Sequence, residues 1–113
     1  MAAPLYSQED VLLAKLVFSD GQGAKRRPVL LVRDFGDADL LVVPITSHPV
    51  RTATDVTVSY WKEAGLKLPS TVRVEKLATI EKTCVAQKLG KLPAGELVKV
   101  REVLAIICKQ ILA

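Results

Sequence analysis

The sequence has few of the residues that hold metals, form disulfides or cross a membrane. It contains two cysteines and one histidine, without a Cys-x-x-Cys motif, which is too few to assemble a structural zinc site. Its longest apolar run is a handful of residues, well short of the roughly 20 that a membrane helix needs. We therefore expect no metal, no cofactor and no membrane span, and we expect Cys84 and Cys108 to be reduced, buried thiols.

Aromatic residues are also scarce, with two Phe, two Tyr and one Trp. Tyr60 and Trp61 could stack on unpaired bases of a nucleic acid. A chain with so few aromatics needs them for its core, however, so we expect both to pack inside the protein.

A leader segment is not evident either. Residues 1–10 contain neither a basic stretch nor an apolar stretch of signal-peptide length, so we expect a cytoplasmic protein. The length of 113 residues suits one domain over 1–113. Residues 1–9 form an N-terminal segment of this domain that can be flexible.

The charge is modestly positive, with 16 Lys and Arg against 12 Asp and Glu, and its distribution matters more than its total. Lys25, Arg26 and Arg27 stand together after Gly21 and Gly23, which predicts a basic loop. Such a cluster is either a solvated loop or a phosphate-binding loop, because glycines let backbone N–H groups approach an anion. Both interpretations stay open on loop chemistry alone.

The apolar pattern predicts a mainly β protein of the α+β class. Strands are expected over 11–18, 29–32, 40–45, 54–59 and 71–74, with a hairpin over 28–46 that turns at Gly36 and Asp37. The apolar runs of this hairpin predict strands buried on both faces. The turn of this hairpin accounts for the cluster of acidic residues, which are Asp34, Asp37 and Asp39. Short consecutive strands indicate a bent, partly closed antiparallel barrel.

One long helix is predicted over 94–112, since its apolar residues recur at the spacing of one helical face. Pro93 suits its start. Val98, Val103 and Ile106 widen the apolar surface, which a dimer would explain. The predicted face consists of Leu97, Val100, Leu104, Ile107, Cys108 and Ile111.

Three segments together resemble the MazF/PemK family of type II toxins, the mRNA interferases, and its PemK-like subgroup in particular. They are Asp10–Leu30 with its glycine-containing loop ending in Arg27-Pro28, Val43–Ser47 with its Ile-Thr-Ser ending, and Ser70–Lys82 followed by Lys88–Leu92. The resemblance covers roughly residues 10–112 in order and spacing.

This resemblance implies an SH3-like antiparallel barrel with a C-terminal helix. It implies a homodimer, a cognate antitoxin and sequence-specific cleavage of single-stranded RNA (mRNA) without metal. The 2′-hydroxyl would attack phosphorus and leave a 2′,3′-cyclic phosphate. By the resemblance Arg27 and Thr46 are the catalytic pair. An arginine fork can hold two phosphoryl oxygens, and a hydroxyl can donate to a developing oxyanion.

Further residues are assigned to supporting roles. RNA or phosphate binding is predicted for Gly23, Lys25, Arg26, Ser47, His48 and Arg51, and support of the active site for Thr79 and Glu81. His48 could instead carry a proton, or be an ordinary loop histidine. Acidic ligands for a metal-dependent nuclease are not grouped near the basic loop.

Departures from the family pattern leave an alternative function. Gln22 stands where many members have Glu, and Ala78 stands where many have Arg. A catalytically inactive barrel that binds an antitoxin-like peptide or a nucleic acid is therefore the second hypothesis. A DNA gyrase poison is a third, because one fold can serve several targets.

Overall fold

Seven strands and one long helix make up the described part of the chain. The computed structural model describes residues 6–17 and 24–113. The elements are β1 (Asp10–Val17), β2 (Ala24–Arg33), β3 (Asp39–Thr46), β4 (Asp55–Val58), β5 (Ser70–Arg73), β6 (Ala78–Glu81), a short 3-10 helix (Lys82–Cys84), β7 (Val85–Lys91) and α1 (Ala94–Leu112). The predicted mainly β class with a C-terminal helix is confirmed.

The strands form one antiparallel, barrel-like sheet in the order β4-β5-β3-β2-β1-β7, with β6 also paired to β3. Strand β3 has β2 on one side, while β6 and then β5 pair along its other side. The β1–β7 pairing contains register shifts, which bend a sheet. Among the described residues the sheet ends at β4 and β7, so the barrel is open.

Strands β2 and β3 are buried on both faces, as the sequence predicted. Val29, Leu30 and Leu31 are each only 1% exposed, and the alternation of side chains sends them to opposite sides of the sheet. Leu30 and Val43 join one apolar cluster, and the cluster on the other face comprises Leu12, Ala14, Val29, Leu31, Leu40 and Val42.

Helix α1 covers the range that the apolar periodicity predicted and packs on the first cluster through Val100 and Ile107. Its start is fixed by Glu96, a buried carboxylate whose Oε2 accepts the Ser59 N–H at 2.5 Å. The predicted apolar face was too long at its C-terminal end, because Ile111 is 71% exposed there.

The prediction of buried thiols is wrong for Cys108, which is exposed on α1, while Cys84 is half-buried. Both are free cysteines. A cysteine at apolar spacing on a helix is buried only where a neighbouring element covers it, and at this end of α1 Cys108 is left exposed, as Ile111 is.

The predicted turn between β2 and β3 is confirmed. Gly36 has φ +89, and Asp34 Oδ1 accepts its N–H at 2.9 Å. Asp34 also pairs with Lys82 Nζ at 3.0 Å. Burial raises the pKa of the Asp34 carboxyl, but the Gly36 hydrogen bond and the Lys82 ammonium outweigh it and hold this pKa below its ordinary value.

The N-terminal segment makes hydrogen bonds with the rest of the fold from Ser7 onward. Asp10 Oδ2 accepts the Ser7 N–H at 2.8 Å, and the Glu9 carbonyl accepts the Leu92 N–H at 2.8 Å. Residues 1–5 lie outside the described residues. In the described ranges, no helix has the length and apolar character to cross a membrane.

Candidate active site

A cleft of about 650 Å³ opens where β2 and β3 separate. Five parts of the chain line it: β1, β2, the end of β3 with the loop after it, residues 65–70, and β7. The lining residues are Leu13, Leu16, Arg27, Pro28, Pro44, Ile45, Thr46, Ser47, His48, Gly65, Leu66, Lys67, Leu68, Ser70, Gln87 and Leu89.

The strand register brings Arg27 and Thr46 to this cleft. The last paired residues of β2 and β3 are Val29 and Pro44. Because side chains alternate, Arg27 shares a face with Val29, and Thr46 shares a face with Pro44. Directly opposed residues point to the same face, so Arg27 and Thr46 follow on one side of the sheet. Both line the cleft.

Thr46 is held by the turn that follows it. Its Oγ accepts the backbone N–H of His48 at 3.2 Å, so the hydroxyl proton can still be donated to a substrate oxygen. Thr46 is half-buried, whereas Ser47 and His48 are exposed beside it. The end of β3 therefore presents a fixed donor to the cleft.

Another wall of the cleft is formed by residues 65–70, which run from the segment after β4 into β5. Gly65 has φ +81, and a Cβ there would lie 2.0 Å from the Leu89 carbonyl oxygen. A Cβ on Gly90 would lie 2.7 Å from the carbonyl of Ala64. The two backbones therefore touch, and this contact fixes the wall on β7.

The charged side chains of the lining are cationic. Arg27 and Lys67 are both exposed, and His48 adds an exposed imidazole. Most of the remaining lining is apolar, with the Gln87 amide and the Ser70 hydroxyl as further polar groups. Such a surface suits a ligand that carries phosphates and has flat apolar parts.

Residues 7–108 match the model of a family described as PemK-like, MazF-like toxin of type II toxin-antitoxin system. The chain belongs to this family. The predicted membership is thus confirmed over nearly the full described length. No curated protein matches the chain.

Solved structures share the fold. The Mycobacterium tuberculosis toxin MazF-mt6 is 26% identical, with a TM-score of 0.73 over 88% of this chain and 96% of that one. An endoribonuclease in complex with its cognate antitoxin from Mycobacterial species is 24% identical, with a TM-score of 0.71 over 95% and 96%. A MazE-MazF structure (Form-II) from Deinococcus radiodurans is 21% identical, with a TM-score of 0.66 over 90% and 92%.

The structure corrects the predicted basic loop of this toxin-family chain. Lys25, Arg26 and Arg27 lie on β2 and are paired with β1 residues. The glycines and charges suggested a loop, but pairing with the long strand β1 extends β2 through them. Lys25 and Arg26 do not line the cleft. Gly23, like the rest of 18–23, lies outside the described residues.

Three other predicted residues lie away from the cleft lining. Arg51 is exposed in the loop before β4, and its N–H donates to Asp55 Oδ2 at 2.9 Å. Thr79 and Glu81 lie on β6, opposite Leu41 and Asp39, at the end of β3 remote from Thr46. Their functional roles stay predictions.

Sequence reasoning missed the wall residues, above all Lys67 and Gln87. Lys67 lies in an irregular segment with no apolar periodicity, and Gln87 becomes part of the site only because β7 pairs with β1. Tyr60, expected in the core, is 59% exposed, while Trp61 packs against the first cluster as expected. The described residues contain no group of three or more His, Cys, Asp or Glu side chains placed to hold a metal ion.

Proposed function

We propose that this toxin is a sequence-specific, metal-independent endoribonuclease that cleaves single-stranded RNA. The observation that carries the proposal is the meeting of Arg27 and Thr46 in one cleft whose other charged group is Lys67. Support comes from the family match and from the shared fold of a solved protein described as an endoribonuclease.

The proposed reaction builds up negative charge on the phosphoryl oxygens, the atoms to which Arg27 and Thr46 donate hydrogen bonds in this proposal. The 2′-hydroxyl oxygen attacks the adjacent phosphorus, and the bond from phosphorus to the 5′-oxygen breaks. The 2′-hydroxyl proton passes to a base, and the 5′-oxygen takes up a proton as it leaves. The products are a 2′,3′-cyclic phosphate and a 5′-hydroxyl.

In this scheme Arg27 is the principal charge-stabilising group. Its guanidinium donates to two phosphoryl oxygens at once, and it stays charged through the reaction. Thr46 donates its hydroxyl proton to the same developing charge, because its oxygen already accepts the His48 N–H. Donors fixed in advance in this way are typically worth about 10² to 10³ in rate each.

The other proposed roles follow the position of each residue. Ser47 and His48 lie in the cleft beside Thr46 and bind the phosphate or the sugar next to it. Lys25, Arg26 and Arg51 contribute to RNA binding from outside the cleft lining, and RNA binding is proposed for Gly23 as well. Thr79 and Glu81 support the far end of β3, with which β6 pairs.

The partners proposed for this chain are a cognate antitoxin and a second copy of itself. Solved relatives are described with an antitoxin or as MazE-MazF, and an antitoxin segment filling the cleft would exclude RNA. A homodimer is supported by the exposed apolar residues of α1, which are Val98, Ile106, Ile111 and Leu112. Light scattering can test it. A cytoplasmic location completes the proposal.

The deciding experiment measures cleavage of a long unstructured RNA in EDTA. Wild type, Arg27→Ala and Thr46→Ala are compared with Lys99→Ala, which removes an exposed cation of α1 outside the cleft. We expect cutting by wild type and Lys99→Ala, and loss of about 10² to 10³ in rate for each cleft variant. Circular dichroism confirms that all four proteins are folded.

The same experiment separates the alternative function. The exposed Ala78 on β6, where many family members have arginine, motivates the hypothesis of an inactive binding barrel. A folded wild type that shifts RNA in a gel without shortening it would establish that alternative. Equal cutting by all four proteins would indicate a contaminating nuclease and remove support from the proposed pair.

A further inference from the structure

The proposed reaction needs a group that accepts the 2′-hydroxyl proton, and the cleft offers few side chains for this task. General bases in enzymes are His, Asp, Glu, Lys, Tyr or Cys. Among the lining residues that the structure describes there is no Asp, Glu, Tyr or Cys. The Arg27 guanidinium and the Lys67 ammonium have donors and no acceptor. The remaining candidate in this lining is His48.

His48 lies next to the group that is proposed to bind the phosphate. Its backbone N–H donates to Thr46 Oγ at 3.2 Å, and both residues line the cleft. The imidazole is therefore attached to the same turn that fixes the Thr46 hydroxyl. A general base reaches its proton directly or through one water, and the 2′-hydroxyl sits on the sugar carbon beside the one that carries the phosphate. This position suits a group that acts on that hydroxyl.

The imidazole of His48 is available to a substrate. His48 is exposed, and within residues 6–17 and 24–113 its side chain makes no hydrogen bond or ion pair. A neutral imidazole has one nitrogen that donates and one that accepts. Described protein groups therefore do not compete for the accepting nitrogen, and solvent can take the proton away afterwards.

We propose that His48 is the general base of the cleavage reaction. The inference rests on the proposed function, since it names the proton acceptor of the same cleft. As the bond from the 2′-oxygen to phosphorus forms, the O–H bond breaks and its proton moves to an imidazole nitrogen. The bond from phosphorus to the 5′-oxygen breaks, and that oxygen takes a proton from water. The imidazolium then gives its proton to the hydroxide that remains, so cleavage consumes no proton overall.

The first test compares single-turnover cleavage in EDTA by wild type, His48→Gln and Val50→Ala. Glutamine keeps hydrogen-bonding groups but has no basic nitrogen, and the backbone N–H that holds Thr46 remains. Val50→Ala changes an exposed residue of the same loop outside the cleft lining. We expect His48→Gln to cleave about 10² to 10⁴ more slowly, with nearly unchanged affinity for a 2′-O-methyl RNA. Val50→Ala should cleave as wild type does, and circular dichroism confirms that all three proteins are folded.

A second test separates a base from an acid. An oligonucleotide that spans a site cut by the wild type is made with sulfur in place of the leaving 5′-oxygen. A thiolate leaves without taking up a proton, so losing a general acid does not slow cleavage of this substrate. Because a base acts on the 2′-hydroxyl, His48→Gln should slow cleavage of the sulfur and oxygen substrates about equally. A wild-type rate of His48→Gln on the sulfur substrate overturns the assignment as a base.

Chemical rescue gives a readout that a structural role would not move. Added imidazole should restore part of the cleavage by His48→Ala, because the exposed position gives it access, and it should not restore Thr46→Val. If His48→Gln cleaves saturating RNA at the wild-type rate, or if imidazole does not rescue His48→Ala, the general base is overturned while the proposed function stands. A folded wild type that cuts no RNA overturns both, so the two failures are distinguishable.

Discussion

Four glycine-to-alanine substitutions can separate backbone strain from steric clash at the cleft wall. Gly65 combines both, with φ +81 and the Leu89 carbonyl oxygen 2.0 Å from its hypothetical Cβ. Gly36 has a similar φ of +89 but open space around it. Gly90 has only the clash, at 2.7 Å from Ala64, and Gly95 in α1 has neither.

The expected magnitudes follow from these differences. A left-handed backbone costs a residue with a Cβ about 1–2 kcal/mol, so Gly36→Ala should lose about that much stability. Overpacking costs about 1–3 kcal/mol, which applies to Gly90→Ala. Gly65→Ala suffers both effects and should lose about 2–5 kcal/mol. Gly95→Ala should be stabilised by up to about 1 kcal/mol, because alanine favours a helix.

Urea unfolding followed by the fluorescence of Trp61, the single tryptophan, measures all four changes. The same proteins are assayed for RNA cleavage, which Gly65→Ala should impair because Gly65 and Leu89 both line the cleft. Gly36→Ala should cleave as wild type does. If Gly65→Ala unfolds at the same urea concentration as Gly36→Ala, the close backbone contact does not hold the wall on β7, and the reasoning is refuted.

Three further predictions concern single side chains. Thr46→Val should slow single-turnover RNA cleavage by about 10² to 10³, while Thr46→Ser keeps the hydroxyl and most of the cleavage rate. Equal cleavage rates of the two variants would exclude Thr46 as a hydrogen-bond donor. Glu96→Ala should lower the free energy of unfolding by about 1–3 kcal/mol, because it leaves the Ser59 N–H without an acceptor. Glu96→Gln should lower it less, and urea unfolding measures both variants. The pKa of Asp34 is lower in the folded state than its ordinary value of 3.8. Its contribution to stability is therefore present above about pH 4 and lost as the pH falls through the folded pKa. Asp34→Asn should remove that part of the acid dependence, and an unchanged acid profile would contradict this.

The elements with a regular apolar period could be predicted from the sequence. The range of α1 and the hairpin of β2 and β3 followed from apolar spacing, and Gly36 located the turn. Arg27 and Thr46 were found through the family pattern, and their meeting in one cleft followed from the hairpin.

The parts of the site that depend on tertiary pairing could not be predicted in this way. Lys67 and Gln87 join Arg27 in the lining of the cleft only when the segment after β4 packs on β7 and β7 pairs with β1. Local sequence signals also gave a wrong prediction at Lys25. The nearby glycines and charges favour a loop, but pairing with β1 places this residue on β2. Cys108 was placed in the core because periodicity locates an apolar stripe without showing how far a neighbouring element covers it.

The pairing of β1 with β7 has a consequence for synthesis. β1 is the first strand to be made and β7 is the last, so one edge of β1 stays unpaired while the strands between them emerge. A chain interrupted before β7 already contains Arg27 and Thr46, yet it lacks the Gln87 and Leu89 side of the cleft. A growing chain therefore cannot complete the site, and catalytic capacity arises only when the two distant strands close on each other.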